Sequence, residues 1–396
     1  MKEPGIVRFL SKGALVPVLL FLLAVPLFAQ EEQIEGGFIF SRTDRNRYRS
    51  NLPSPPTPRT VDGYPNFGRT ESGRGNWVPR QIPSYERVLS DGQDGIPYQP
   101  WARALRNYRE HVTLQADDPE GFCLPPGGPR LMTTFFSMEM IQLPDRFIFI
   151  FEGGSHVWRI IYMDGRPHPP AEELAQFPTW LGHSIGRWEG DTLVVDTVGF
   201  NEGTWVDSLG DPHTSKMHLI EKFTRPSLLT LHYEATIDDP GAYTKPWTID
   251  WDIPWVPDKQ IKEYICQENN RWQENWMIAN KMGGGTGNVG ADMGQGHPAK
   301  GTWMGTWGRN NEVLMMLDWD GNMISGTINP GADEVVLRNG SLDPDKWTVH
   351  LEGTSSRGVP VVIDGKFENL GWGNRSLVGT WTQGTTRSNF RITRQR

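Results

Sequence analysis

The feature that most constrains the fold is a succession of short alternating segments joined by tight turns, which begins near residue 131. RFIFIFEG is followed by HVWRIIYMDGRPH, in which Asp164 and Gly165 form a hairpin-type turn pair. HSIGRWEGDTLVVDTVGF, KMHLIEKFTR, LLTLHYEATI and WTIDWDI come next, without a long amphipathic helix between them. A meander of about eight strands without crossovers predicts an all-β fold, an antiparallel up-and-down barrel, with a β-sandwich as the alternative.

The remaining sequence predicts a second, smaller barrel. Residues 281–300 are rich in glycine and lack apolar periodicity, which indicates a linker. Residues 301–396 then contain eight closely spaced strand-like runs, from GTWMGTWG to SNFRITRQR, which suit a small closed eight-stranded barrel. We therefore assign residues 98–280 to the first barrel domain, and residues 30–97, which are polar and proline-rich, to an extended or disordered lead.

The N-terminus has the pattern of a secretory signal peptide. Three basic residues precede an apolar run over residues 14–28, and Ala29 precedes a polar stretch. We expect cleavage after Ala29, a signal peptide of residues 1–29, and a periplasmic or secreted protein. Pro17 and Pro26 disfavour the alternative, a membrane anchor, so no stable membrane span is expected after cleavage.

Charge and cysteine content limit the partners and the compartment. The formal net charge is -8 and the chain has no basic run, which argues against a nucleic-acid partner. A small molecule is the expected partner. Cys123 and Cys266 are the only cysteines, and in an oxidising compartment such a pair predicts a disulfide.

Two resemblances accompany these patterns. PWARALRNYREH, DDPEGFCLPPGGPR, PTWLGHSIGRWEGDTLVVDTVGFN, DDPGAYTKPW and EYICQENNR resemble a widespread, uncharacterised family of secreted bacterial β proteins over about residues 100–272. That resemblance implies a fold and a compartment, and no reaction.

The second resemblance rests on Gly-x-Trp steps at residues 75–77, 301–303 and 379–381. It is to the calycin group, the lipocalin-like and avidin-like barrels. By this resemblance, Trp303 at the base of the barrel would pack against a late arginine, Arg391 or Arg394.

The densest polar segment is GHSIGRWEGDTLVVD, which contributes His183 and Asp196. Alternation places Asp196 on an otherwise apolar strand face, where a carboxylate must be paired, hydrogen-bonded or protonated. A general acid/base role follows for His183, Asp196 and, from a neighbouring strand, Glu221. The alternative is a structural ion pair between Asp196 and Arg187 or Arg225.

Two other chemistries are weaker. A serine nucleophile at Ser184 lacks a Gly-x-Ser-x-Gly elbow. His213 and His218 would need a third ligand to hold a metal, and solvated loop histidines are the simpler interpretation. No metal and no cofactor is therefore predicted.

The 17 tryptophans favour a protein with aromatic-lined surfaces. In WTIDWDI, Trp247 and Trp251 share one strand face, where they line either a cavity or the core. The tryptophans predicted to bind ligand are Trp158, Trp188, Trp205, Trp247 and Trp251.

These patterns lead to one functional hypothesis and two rivals. The leading hypothesis is a barrel that binds an apolar or aromatic small molecule and can transform it by acid/base chemistry. One rival is a carbohydrate-active enzyme or glycan-binding protein, with Glu221 and Glu234 flanking the bond. The other is an envelope-associated structural or interaction protein without a cavity.

Overall fold

The computed structural model describes residues 48–50, 53–68, 75–154, 157–268, 270–272, 296–309, 311–371 and 374–395. The predicted signal peptide and residues 281–295 of the predicted linker lie outside these ranges. Among the described residues, no helix is both long and apolar enough to cross a bilayer.

Within these ranges the chain forms two closed barrels, of nine and eight strands. The first consists of β1 (Gly75–Trp77), β2 (Met138–Gln142), β3 (Arg146–Phe151), β4 (Trp158–Tyr162), β5 (His183–Glu189), β6 (Thr192–Val198), β7 (His218–Ser227), β8 (Thr230–Asp238) and β9 (Trp247–Pro257). The second consists of β10 (Gly301–Trp307), β11 (Asn311–Trp319), β12 (Ile324–Ile328), β13 (Val335–Asp343), β14 (Thr348–Ser355), β15 (Pro360–Glu368), β16 (Ser376–Gln383) and β17 (Thr386–Arg394). The predicted all-β class and the two barrels are thus confirmed.

The described helices all belong to the connections of the first barrel. They are α1 (Pro100–His111), α2 (Ala171–Gln176) and short 3-10 turns at Tyr85–Arg87, Pro119–Phe122 and Pro129–Thr133. Of these, only α2 lies in the connection between β4 and β5.

Every strand pair in both barrels is antiparallel except β4 with β5. That pair is parallel and joins only Ile161 to Ser184 and Tyr162 to Ile185. The prediction of a meander without crossovers is wrong at this step. A parallel neighbour requires a connection that returns along the outside of the sheet, and residues 163–182, which include α2, make that return.

Strand β1 closes the first barrel and lies inside the predicted extended lead. It pairs with both β2 and β9, and Trp77 is fully buried. Gly75 permits the close approach, because a Cβ there would lie 2.6 Å from the indole nitrogen of Trp255. The barrel therefore starts before residue 98. Three residues are too few to show a strand period in the sequence.

The interior of the second barrel contains large apolar side chains. Trp303 and Trp381 are buried, and the indole nitrogen of Trp303 donates to the carbonyl of Ala299 at 2.8 Å. In the strand register Trp303 lies opposite Arg394. One of the two arginines named from the calycin resemblance is therefore the backbone neighbour of this tryptophan.

The two cysteines form the predicted disulfide. Their sulfur atoms are 2.06 Å apart. The bond joins the end of the 3-10 turn Pro119–Phe122 to the segment that follows β9, and so fixes two connections of the first barrel to each other.

Candidate functional site

A pocket opens in the wall of the first barrel where β4 and β5 diverge. Because these strands share only two residue pairs, the wall is unpaired beside Trp158–Ile160, and α2 crosses outside this gap. The pocket has a volume of about 350 Å³. We call it the wall pocket, and its lining residues come from β4, β5, the β4–β5 connection and the turn after β6: Trp158, Arg159, Ile160, Tyr162, Pro169, Glu173, Leu174, Phe177, Thr179, Leu181, Gly182, His183, Ser184 and Gly199.

The floor of the wall pocket is a buried ionic network. Arg159 donates through Nη1 to Glu221 at 3.0 Å and through Nη2 to the other oxygen of the same carboxylate. It also donates to the Ser184 hydroxyl at 3.0 Å and to the Thr197 hydroxyl at 2.7 Å. The Tyr233 hydroxyl donates to Glu221 at 2.8 Å. The carboxylate thus has three donors, and the guanidinium has an acceptor at each of its nitrogens.

At the floor of the pocket, burial and the neighbouring charge have opposite effects on the pKa of Arg159. Burial alone would lower the pKa of Arg159, but the adjacent Glu221 carboxylate holds that pKa above its ordinary value. Arg159 therefore stays charged, and its hydrogen bonds are satisfied within the protein.

The rim of the pocket carries a chain of imidazoles on the outer face of the wall. His168 Nδ1 lies 2.9 Å from His183 Nδ1, and His168 Nε2 lies 3.0 Å from an Asp196 oxygen. The same oxygen lies 2.8 Å from Nε2 of His218. One carboxylate therefore orients two histidines, and through the first of them it reaches a third.

The hydrogen bond to the carboxylate favours one arrangement of protons along this chain. A carboxylate accepts, so His168 donates from Nε2, and in the neutral ring its Nδ1 is then an acceptor. When His168 is neutral in this way, His183 donates to it from Nδ1, and Nε2 of His183 keeps a lone pair. A base oriented by a second group, itself oriented by a carboxylate, is the arrangement used in general-base catalysis.

His183 is held neutral. Burial lowers the pKa of its imidazole, and the neighbouring His168 and Arg166 lower it further, while Glu173 opposes them. The ring also stacks on Tyr162, with ring centroids 5.5 Å apart. At pH 7, His183 is therefore a proton acceptor.

The three predicted acid/base residues do not converge on one point. Of these, only His183 lines the wall pocket. Asp196 lies on the outer face and acts through His168, whereas Glu221 is fully buried on the interior face beneath Arg159.

The alternative ion pair of Asp196 with an arginine is also wrong. Arg187 binds Glu189 at 2.9 Å, and Arg225 donates to backbone carbonyls while it covers the ring of Trp77. The partners of the Asp196 carboxylate are His168 and His218, where the sequence analysis expected an arginine.

The predicted ligand-binding tryptophans separate into one pocket residue and four packing residues. Trp158 is 64% exposed and lines the wall pocket. Trp188 stacks on Tyr64 with centroids 4.8 Å apart, so its face is covered. Trp158 is therefore the predicted residue that remains available to a ligand in this pocket.

The other three tryptophans are buried. Trp205 lies against the guanidinium of Arg109, 4.7 Å from its ring centroid. Trp247 and Trp251 face the interior, where both pack against Tyr85. The interpretation of Trp247 and Trp251 as core residues fits these positions, because other aromatic rings contact both of them.

Several residues of the site were not identified from the sequence. Arg159 carried a usable signal, since a charged residue stands among the apolar residues of this strand-like run. No sequence signal marked His168, Glu173 or Phe177. They lie in the β4–β5 connection, and the path of this connection follows from the crossover, which the sequence did not predict.

A second hollow, of about 660 Å³, lies on the other side of α2, beside the first strands of the second barrel. Leu174 and Gly199 line both hollows. Its polar wall includes Glu202, which binds Lys300 at 2.7 Å. The rest of its lining is mainly apolar, with Leu174, Phe200 and Met217 among the residues.

The interpretation of His213 and His218 as solvated loop histidines is wrong, because the first is buried and the second lies in β7. His213 is fully buried, where burial lowers its pKa and its Nε2 lies 2.7 Å from the Thr204 hydroxyl, while His218 belongs to the rim. In the part of the chain that the structure describes, no three His, Cys, Asp or Glu side chains are arranged to hold a metal ion.

Comparisons with known proteins give little. No family model and no curated protein matches the chain. One solved structure with partial similarity is a DUF3598-family protein of unknown function from Nostoc punctiforme PCC 73102. It is 10% identical, over 66% of this chain and 88% of that chain, with a TM-score of 0.16.

Proposed function

We propose that this protein binds an apolar or aromatic small molecule in the wall pocket. The observation that carries the proposal is the pair of large aromatic side chains at this concave site, Trp158 and Phe177, which are 64% and 65% exposed. Exposed aromatics that flank a hollow mark binding sites, and about 300 to 1,000 Å³ is the usual volume of a small-molecule pocket.

The distribution of polarity supports the same proposal. Apolar side chains such as Ile160, Leu174 and Leu181 line the pocket together with a smaller number of polar ones. An apolar wall with a small number of placed polar groups is typical of sites that orient a small ligand.

We further propose that His183 serves as a proton acceptor for the bound molecule. Support comes from the Asp196–His168–His183 chain, which orients the ring, and from burial, which lowers the pKa of His183 and favours its neutral form. The proton would pass from the molecule to Nε2 and return to it or to solvent. Asp196 would be a positioning residue, because it touches His168 and not the pocket.

The carbohydrate hypothesis has less support from these positions. Glu221 points into the barrel, and Lys222, the next residue, binds Glu234 on the outer face at 2.7 Å. Two carboxylates on opposite faces of a wall cannot flank one glycosidic bond.

We propose a periplasmic or secreted location for this function. The disulfide supports it, because such bonds persist in oxidising compartments.

Binding is tested with 6-propionyl-2-(dimethylamino)naphthalene, a neutral aromatic probe whose emission shifts to shorter wavelength in apolar surroundings. We expect saturable binding to the full chain, and a Kd about tenfold higher for Phe177→Ala, which corresponds to ~1.4 kcal/mol of lost aromatic contact. Phe135→Ala is the matched control, since Phe135 is 61% exposed and does not line the pocket. Equal affinity of both variants would refute binding at this pocket.

Proton transfer is tested separately with the same probe, whose propionyl group has an acidic C–H. We expect deuterium from D2O to enter this position with the wild-type protein and not with His183→Ala. Equal incorporation in both would remove the acid/base role and leave binding intact.

A further inference from the structure

The groups at the floor of the wall pocket are already occupied by one another. Both terminal nitrogens of Arg159 bind Glu221, and its third nitrogen binds Ser184. The Ser184 hydroxyl lies 3.0 Å from that of Thr197. A ligand therefore gains no free cation from this floor.

Arg166, a cation near the rim, is also occupied. It binds Asp164 at 2.9 Å, and its guanidinium lies 3.9 Å from the centroid of the Tyr162 ring. An anionic ligand would have to break one of these pairs.

Two ionisable side chains that line the pocket, Glu173 and His183, keep unused hydrogen-bonding capacity. Within the described ranges, the Glu173 carboxylate has no hydrogen bond or ion pair, and Nε2 of His183 has no partner. With His168 neutral and hydrogen-bonded to Asp196, Nε2 of His183 is a lone pair. The Trp158 indole N–H donates, and the Tyr162 and Thr179 hydroxyls can donate or accept, but none of these three groups carries a charge.

We propose that the wall pocket selects aromatic molecules that donate hydrogen bonds, arylalkylammonium ions and phenols, over aromatic carboxylates. This rests on the proposed binding at the same pocket. Aromatic side chains at the rim contact the ring of the molecule, and Glu173 pairs with its ammonium group. His183 accepts from its hydroxyl group, so Glu173 and His183 together favour a ligand that carries donors and a positive charge.

The test compares two probes of the same shape and opposite polarity. Tyramine carries a phenol and an ammonium group, and 3-(4-hydroxyphenyl)propanoate carries the same phenol and a carboxylate. Isothermal titration of each into the full chain at pH 7 should give a Kd at least tenfold lower for tyramine. A tenfold difference in Kd corresponds to the free energy of about one hydrogen bond to a charged group at a half-exposed site.

The Glu173→Gln variant should weaken tyramine binding about tenfold and leave 4-ethylphenol unchanged, because the phenol does not need the carboxylate. Glu172→Gln is the matched control, since this neighbour on α2 is exposed and does not line the pocket. It should change neither affinity.

The possible failures are distinguishable. If the naphthalene probe binds at the pocket but the propanoate binds as tightly as tyramine, the selectivity is wrong and the proposed function stands. The selectivity is equally overturned if Glu172→Gln weakens tyramine as much as Glu173→Gln. If Phe177→Ala also leaves the Kd of the naphthalene probe unchanged, the proposed function is refuted, and the selectivity that rests on it is refuted with it.

Discussion

The buried pair of Arg159 and Glu221 allows the most quantitative prediction. Their side chains are 5% and 0% exposed, and the carboxylate accepts from both terminal nitrogens of the guanidinium and from Tyr233. Glu221→Gln keeps the shape and removes the negative charge, which leaves a buried guanidinium without a counter-charge. Breaking such a pair costs about 3 to 5 kcal/mol of unfolding free energy.

Removing both charges together should cost much less. In Arg159→Met with Glu221→Leu and Tyr233→Phe, no buried charge or unpaired phenol remains, and Ser184 and Thr197 still bind each other at 3.0 Å. Replacing buried ion pairs by apolar side chains is often neutral in stability. We expect this triple variant to be within about 2 kcal/mol of the wild type.

Urea unfolding followed by tryptophan emission measures both values, and calorimetry gives the midpoint. A loss of about 3 kcal/mol should lower the midpoint of the first barrel by at least about 6 °C. Two results would refute the reasoning. One is a Glu221→Gln variant within about 1 kcal/mol of the wild type. The other is a triple variant less stable than that single variant.

Three further outcomes follow from the fold. Replacing both cysteines by alanine should lower the unfolding free energy by about 5 kcal/mol in urea, since the bond spans 143 residues, and a loss below about 1 kcal/mol would contradict this. Burial raises the pKa of Asp239 to about 6 from 3.8, so its stabilising contribution, present below pH 3.8, is lost as pH rises to about 6. Asp239→Asn should flatten the pH dependence of stability in that window by about 3 kcal/mol, and an unchanged slope would refute it. Gly199→Ala would place a Cβ 2.8 Å from Leu174, so it should speed proteolysis within residues 163–182. Gly190→Ala, with a similar positive φ and open space around it, should not.

The sequence was sufficient for the class of fold because alternation is visible in most strands. RFIFIF in β3 alternates between half-buried and buried residues, as its pattern predicts. Two features of the fold were not predicted from the sequence. Strand β1 is too short to show a period, and the crossover between β4 and β5 leaves no local signature, since α2 buries no residue.

The candidate site depends on that crossover, which is why the sequence located it only in part. His183 and Trp158 were named from the sequence, and both line the wall pocket. Glu221 was named as well, but the alternation of a strand does not reveal which of its faces is the interior one. His168, which links Asp196 to His183, is brought there by the return path of the chain.

The central claim is that the wall pocket holds an aromatic molecule, and a crystal structure with 4-bromophenethylamine tests it most directly. The bromine gives an anomalous signal that locates the ring independently of the surrounding density. We predict a single strong peak between Trp158 and Phe177, with the ammonium group next to Glu173. A peak only in the hollow on the other side of α2, or none at saturating concentration, would contradict the account.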